Sequence, residues 1–336
     1  MPFRGFVSAV LLLVTACPAL ANDSTANFAA GGLVLTKTDA IEMRREDLAI
    51  SLERISVDYE FVNTTDQPVT TTVAFPLPEI AIDAYDGNVD LPSENPDNPF
   101  LFETTVDGKP VTMTIDRAAY HGDKPITDRL TRLGVPLAPF GGSVVDALDA
   151  LPEADQQALV ADEIVVVNEY DAGKGWEKHI APNWALRLAY HWDQTFLPGK
   201  AVKVSHSYKP SIASYVATEV GASYFSPEET RKFRARYCVE DDIVAAVKKA
   251  EAAAGAEAGF AYQDRKIDYV LTTGANWARP IGSFRLVVDK GAPKNLVSFC
   301  ASGVKKIAPT KFEVVYRDFV PKEDLHVLIL VKLTEE

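Results

Sequence analysis

The sequence predicts a mainly β protein, one or more antiparallel β-sandwiches carrying helical insertions. Three observations predict it. Apolar residues recur at every second position along most of the chain, short turn sequences rich in Asp, Asn, Gly and Pro separate these runs, and helical spacing is confined to two stretches, near 143–163 and 226–255.

The chain opens with Arg4, then the apolar run Phe6 to Ala16, then Ala19-Leu20-Ala21. A positive start, an apolar centre and small residues at the cleavage positions are the pattern of a secretory signal peptide, with cleavage expected after Ala21 and Asn22 as the new first residue. The expected location is the periplasm. Val14-Thr15-Ala16-Cys17 also resembles a lipoprotein box, in which Cys17 would carry a lipid anchor. Pro18 and the Ala19-Leu20-Ala21 site just downstream favour removal of Cys17 with the signal. No later run reaches the roughly 18 apolar residues that a spanning helix needs.

Ile55, Val57, Tyr59 and Phe61 alternate with polar residues, Asn63 to Pro68 is turn chemistry, and Val69, Thr71, Val73 and Phe75 resume the alternation. The two runs are expected to form a hairpin. Pro76 to Pro99 is a long irregular stretch in which Asp86, Asn88 and Asp90 alternate like the first oxygen ligands of a calcium loop. Leu91 stands where that loop requires glycine, so a solvated polar loop is the expected reading and no metal is assigned. Asp107-Gly108 predicts a second hairpin, because both residues tolerate positive φ.

Ser143 caps an expected helix through Leu151, Pro152 starts another through Ala161, and Ile164 to Val167 reads as a strand. Trp184, Leu186, Leu188, Tyr190 and Trp192 share one face of the next strand. Leu197 to Gly199 then turns the chain into Val202, Val204, His206 and Tyr208, which predicts a third hairpin with His206 among aromatics. Ser226-Pro227-Glu228-Glu229 is a capping box, and a second helix is expected from about Asp241 to Ala254. Strands return at Tyr269–Thr273, Phe284–Val288, Leu296–Phe299, Phe312–Tyr316 and His326–Leu333. The expected organisation is a signal at 1–21, a β-rich part at 22–215 and a second β-rich part at 216–336, or one continuous domain.

The formal charge is −13, and loss of Arg4 with the signal makes it −14. Such an acidic chain repels nucleic acid and anionic membrane surfaces. Cys238 and Cys300 remain after the signal. An even pair in an oxidising compartment is read as one disulfide, with two free buried thiols as the alternative.

Several strings resemble a bacterial secreted family catalogued as domain of unknown function 4424. They are Asn22-Asp23-Ser24, Gly31-Gly32-Leu33 with Thr36-Lys37, Val73-Ala74-Phe75-Pro76-Leu77-Pro78, Trp192-Asp193-Gln194-Thr195-Phe196, His206-Ser207-Tyr208-Lys209-Pro210, and Ser298-Phe299-Cys300 with Pro309-Thr310. The resemblance covers nearly the whole chain after residue 21. It implies a periplasmic protein and brings no reaction and no site residues.

No complete catalytic set, metal spacing or cofactor motif is present. His206 is read as a core histidine, since Asp193, Ser205 and Ser207 project from the opposite face. Trp176, after a glycine-rich loop, and Trp277, before Arg279-Pro280, are the candidates for a surface aromatic contact. The expected function is a non-catalytic exported protein that binds an envelope component or another protein, no cofactor being expected. The alternative is a periplasmic hydrolase whose site assembles only in three dimensions.

Overall fold

The structure, a computed structural model, describes residues 22–29, 32–81, 91–93, 95, 98–171, 175–215, 217–254 and 260–333. The predicted signal peptide with Cys17 and the calcium candidates Asp86, Asn88 and Asp90 lie outside these residues. Two large sheets form the frame. One runs in the order Lys305–Lys306, Lys311–Phe319, Ile281–Asp289, Ile41–Ile50, Ile55–Asn63, Ala201–Tyr208, Glu103–Val106, Lys109–Pro110. The other runs Lys124–Pro125, Thr114–His121, Ala185–Phe196, Val69–Pro76, Ser24–Ala29, Gly32–Thr36, with Ile80–Ala81 also on Ala185–Phe196. Pairing between these strands is antiparallel except for Ile281–Asp289, which lies parallel to Ile41–Ile50.

The alternating apolar faces of both sheets meet in one core. Phe61 approaches Phe196 at 6.2 Å between ring centroids, Phe75 approaches Phe102 at 5.1 Å, and Trp192 approaches His206 at 5.6 Å. Each pair joins one sheet to the other. Burying a side chain of this size stabilises by about 1.5–3 kcal/mol.

This arrangement corrects two of the three expected hairpins. Ile55–Asn63 and Val69–Pro76 are not partners. The chain crosses from one sheet to the other at 64–68, and each strand pairs elsewhere. Leu197–Gly199 likewise carries the chain between sheets, so Ala185–Phe196 and Ala201–Tyr208 face one another across the core. A hairpin and a crossing between sheets bring the same apolar faces together, so period-two alternation cannot tell them apart. The Asp107-Gly108 hairpin forms, with φ of 49° and 75° at its two turn residues. It ends after two residue pairs, and the chain then leaves for the other sheet.

A third sheet, Ala213–Ser214, Tyr262–Tyr269, Leu325–Lys332 and Leu296–Phe299, is buried on both faces. Val327 and Ile329 enter the sandwich core, while Leu328 and Leu330 pack beneath the helices Pro227–Tyr237 and Asp241–Ala254. Double burial explains the nearly unbroken apolar run. Residues on both sides of position 215 thus share one core and one eight-stranded sheet. The first of these helices starts as expected: Ser226 Oγ accepts from the Glu229 amide and Glu229 accepts from the Ser226 amide.

The other insertion holds the expected helices as Gly142–Asp149 and Glu153–Ala161, and also an unexpected one, Thr127–Leu133. With the hairpin Val165–Asp171/Trp176–Pro182 they close a separate small core around Leu130, Leu148, Leu159 and Trp184.

Candidate functional site

The sandwich encloses a cluster of polar groups where apolar packing is the rule. The strand Ser24–Ala29 is led in by Asn22 and Asp23, and both are fully buried. Asp23 Oδ1 and Oδ2 lie 3.1 and 3.2 Å from His206 Nε2, and His206 Nδ1 lies 2.8 Å from Thr104 Oγ1. Around the imidazole stand Tyr59, Phe75, Phe102 and Trp192. Burial raises the Asp23 carboxyl above the usual range, and the His206 charge and hydrogen bond partly offset this.

Glu46 joins the cluster because of a bulge. On Ile41–Ile50, Ile41 and Met43 face inward, Arg44 and Arg45 both face out, and Glu46, Leu48 and Ile50 face inward again. The register against Ile55–Asn63 slips between Met43 and Arg45, which changes the phase of the pleat and turns Glu46 into the core. The bulged carbonyl at Arg44 sits against Gly282, where an added Cβ would stand 2.8 Å from that oxygen. Gly282→Ala is therefore expected to cost about 1–3 kcal/mol by pushing on the bulge. Urea unfolding measures it, and an unchanged midpoint would show that the bulge does not depend on this close approach.

Asn22 links the parts. Its Nδ2 donates to Glu46 Oε2 at 3.0 Å, its Oδ1 accepts from the Tyr59 hydroxyl, its backbone N–H donates to Thr273 Oγ1, and the Thr273 hydroxyl donates to its carbonyl at 2.6 Å. Tyr59 and Tyr269 hydroxyls lie 3.2 Å apart. Glu46 Oε1 has no hydrogen-bond partner among the described residues. Burial raises the Glu46 carboxyl to about 8; the Asn22 amide opposes this, and the charges of Asp23 and Asp47 add to it.

Next to this cluster lies an open cleft of about 400 Å³. It runs between Leu77–Ala81, the third sheet and the helix Pro227–Tyr237. Its apolar wall includes Leu77, Ile80, Phe100 and Phe233. Its charges are already matched: Lys266 pairs with Glu219 and sits 3.8 Å over the Tyr215 ring, Arg236 lies 3.1 Å from Asp268, and Glu79 pairs with Arg187 from outside the lining. Asp268 also accepts from His326 Nδ1 at 2.6 Å. Burial alone would raise the Asp268 carboxyl; His326 and Arg236 outweigh it and hold the carboxyl below its ordinary value. Tyr208 lines the cleft, and Phe102 stacks on it at 5.4 Å and contacts His206 at 5.2 Å, which connects cleft to cluster.

The structure separates the two tryptophan candidates. Trp176 is 80 % exposed at the end of the hairpin in the small insertion. Trp277, expected at the surface, is only 4 % exposed: the 3₁₀ turn Thr272–Asn276 folds it inward, its indole donates to the Asp23 carbonyl at 2.7 Å, and its ring lies 4.5 Å from Phe61. Cys238 and Cys300 are bonded to each other. His206 is in the core as expected, bonded to Asp23 and Thr104. Asp193, Ser205 and Ser207 instead bond Thr72, Asp58 and Arg54 on outer faces. Among the described residues, no group of three or more His, Cys, Asp or Glu is placed to hold a metal ion. No described helix is long and apolar enough to cross a membrane.

Four of the familiar strings meet in this region. Asn22-Asp23-Ser24 supplies the cluster, Val73 to Pro78 supplies Phe75 to the cluster and Leu77 to the cleft, Trp192 packs on His206, and His206 to Pro210 reaches from one to the other. A family model described as Domain of unknown function (DUF4424) matches residues 21–328. The chain belongs to the DUF4424 family. No curated protein matches it. A crystal structure from Legionella pneumophila, named a "putative nutrient binding protein", is similar at 18 % identity and a TM-score of 0.43, over 92 % of this DUF4424 chain and 72 % of the other.

Proposed function

We propose that this DUF4424 protein is an exported, non-catalytic binding protein whose cleft takes a small amphipathic organic molecule. One observation carries the reading. The cleft combines an apolar wall with cations and carboxylates that neutralise one another, so it suits a largely uncharged ligand with an apolar body and polar edge. A strongly anionic ligand would have to displace Glu219 and Asp268 from their partners. The signal pattern at 1–21 and the Cys238–Cys300 bond both fit the periplasm. Trp176 offers a separate exposed aromatic contact for a protein or envelope partner.

The Asp23, His206 and Thr104 side chains have the residue types of an acid, base and nucleophile. His206 and Asp23 are wholly sealed from solvent and are not among the residues that line the cleft, so they favour a structural role over hydrolysis. The cleft is tested by native mass spectrometry of protein gently recovered from the periplasm. The wild type is expected to carry a small molecule. Ala213→Trp, which adds bulk from an exposed lining position, is expected to carry none at unchanged melting temperature. Equal recovery from both would overturn the cleft as the site.

A further inference from the structure

Asp23 and Glu46 are two carboxyl groups in one sealed cluster, and the His206 imidazole is bonded to Asp23. Among the described residues, neither lysine nor arginine is among the groups acting on Glu46 or Asp23. Glu46 is fully buried, and one of its two oxygens has no partner among the described residues. A carboxylate left so would be strongly destabilised. Were Glu46 and Asp23 both to ionise, the cluster would hold two negative charges with His206 as the one bonded group able to carry a positive charge. The backbone nitrogen of Asn22 lies inside it, fully buried and bonded to Thr273 Oγ1, on the same residue whose side chain reaches Glu46. In the continuous chain that nitrogen is a neutral amide with one proton to donate. Cut before Asn22, it becomes an ammonium with three.

We infer that cleavage after Ala21 creates a cation there, and that the α-ammonium of Asn22 is captured in this cluster as the buried counter-charge of Glu46 and Asp23. The inference rests on the export reading above and is independent of what the cleft binds. Signal removal then does more than release the chain. It completes the charge balance of the core, so the processed protein is the form that packs the two sheets tightly. An amino group inside a carboxylate-lined site also cannot be reached by aminopeptidases while the sandwich is closed.

The pH dependence separates capped from free chains. The groups facing Glu46 are Asn22 and Asp23 from the entering segment, Tyr59 from the adjacent strand and Tyr269 from the third sheet, with His206 held by Asp23 and Asp47 beside it on the outer face. With the amine capped, the fold keeps Glu46 protonated up to about 8, whereas the unfolded chain ionises it near 4.5. Stability then falls as pH rises between those values. With the ammonium present, Glu46 ionises inside the fold and that fall is lessened. The ammonium contributes only while it is protonated, so its contribution is lost at high pH.

The experiment compares purified chains that begin at Asn22, released by a protease that leaves no extra residue, with chains carrying one additional N-terminal Gly. Each is made with Glu46 and with Glu46→Gln, and melting is followed from pH 5 to 9. The Asn22 chain is expected to melt several degrees higher at pH 7 than the extended chain, with the gap closing in Glu46→Gln, since a purely steric effect of the extra residue would persist there. Intact-mass measurement of the periplasmic protein is expected to show an Asn22 start. Equal melting and equal pH profiles with a confirmed Asn22 start would overturn the capture alone. A different first residue would overturn the capture and the export site together.

Discussion

Asp23→Ala is expected to lower the unfolding free energy by about 3–5 kcal/mol at neutral pH, read by chemical denaturation. The carboxylate presents both oxygens to His206 Nε2 at 3.1 and 3.2 Å, and neither side chain is exposed at all. Removing it leaves a buried imidazole nitrogen with nothing to bond, and water cannot reach it. The variant isolates the carboxylate, because Trp277 bonds the backbone carbonyl of Asp23, which alanine keeps. His206→Phe alone strands the carboxylate instead and is expected to cost a similar amount. Asp23→Leu combined with His206→Phe replaces both partners by apolar groups and is expected to cost much less than the two single losses together. A loss under about 1 kcal/mol for Asp23→Ala would mean that the cluster rearranges to satisfy His206 from another side. The consequence extends to the cleft: His206 packs on Phe102, and Phe102 stacks on Tyr208 in the cleft wall.

The alternation at Ile55 to Phe61 and at Trp184 to Trp192 made the strands, their buried faces and the sandwich class legible in the sequence. Ser226, Pro227 and Glu229 likewise made a helix start legible, since capping is local chemistry. What alternation could not carry is pairing. The turns at 64–68 and 197–199 look the same whether the next strand hydrogen-bonds to the last or faces it across a core, and the parallel contact of Ile281–Asp289 with Ile41–Ile50 joins segments more than 200 residues apart. Glu46 was hidden for a related reason. In Glu42 to Asp47 every residue but Met43 is charged, and only the bulge, which needs Gly282 from the far end of the chain, turns one of those charges inward. Asp23 was visible as part of a familiar string, but its partner His206 lies 183 positions away. Trp277 misled because Arg279 and Pro280 beside it are exposed, while the indole itself has a buried carbonyl to bond.

Cys238→Ser with Cys300→Ser is expected to cost about 4 kcal/mol, the loop-closure entropy restored to an unfolded chain when a cross-link over 62 residues is lost. The bond stabilises more than a loop. Cys238 is the residue that ends the helix Pro227–Tyr237, in a left-handed conformation with φ of 51°, which costs a residue with a Cβ more than it costs glycine. Its partner follows the strand Leu296–Phe299 directly, and Ser298 Oγ donates to the carbonyls of Tyr237 and Cys238 at 2.9 and 3.0 Å. The bridge and the serine together dock the last turn of this helix on the third sheet. That turn carries Arg236 and Tyr237, and both line the cleft. Two outcomes separate the contributions. Cys238→Gly with Cys300→Ser loses the same cross-link but relieves the left-handed position, so it is expected to recover about 0.5–1 kcal/mol relative to the double serine variant. If the cross-link acts only on the unfolded chain, the double variant retains any small molecule recovered with the wild type below the denaturation midpoint. If it also holds the helix end in place, that retention falls while the sandwich is still folded, even with the Ser298 tie intact.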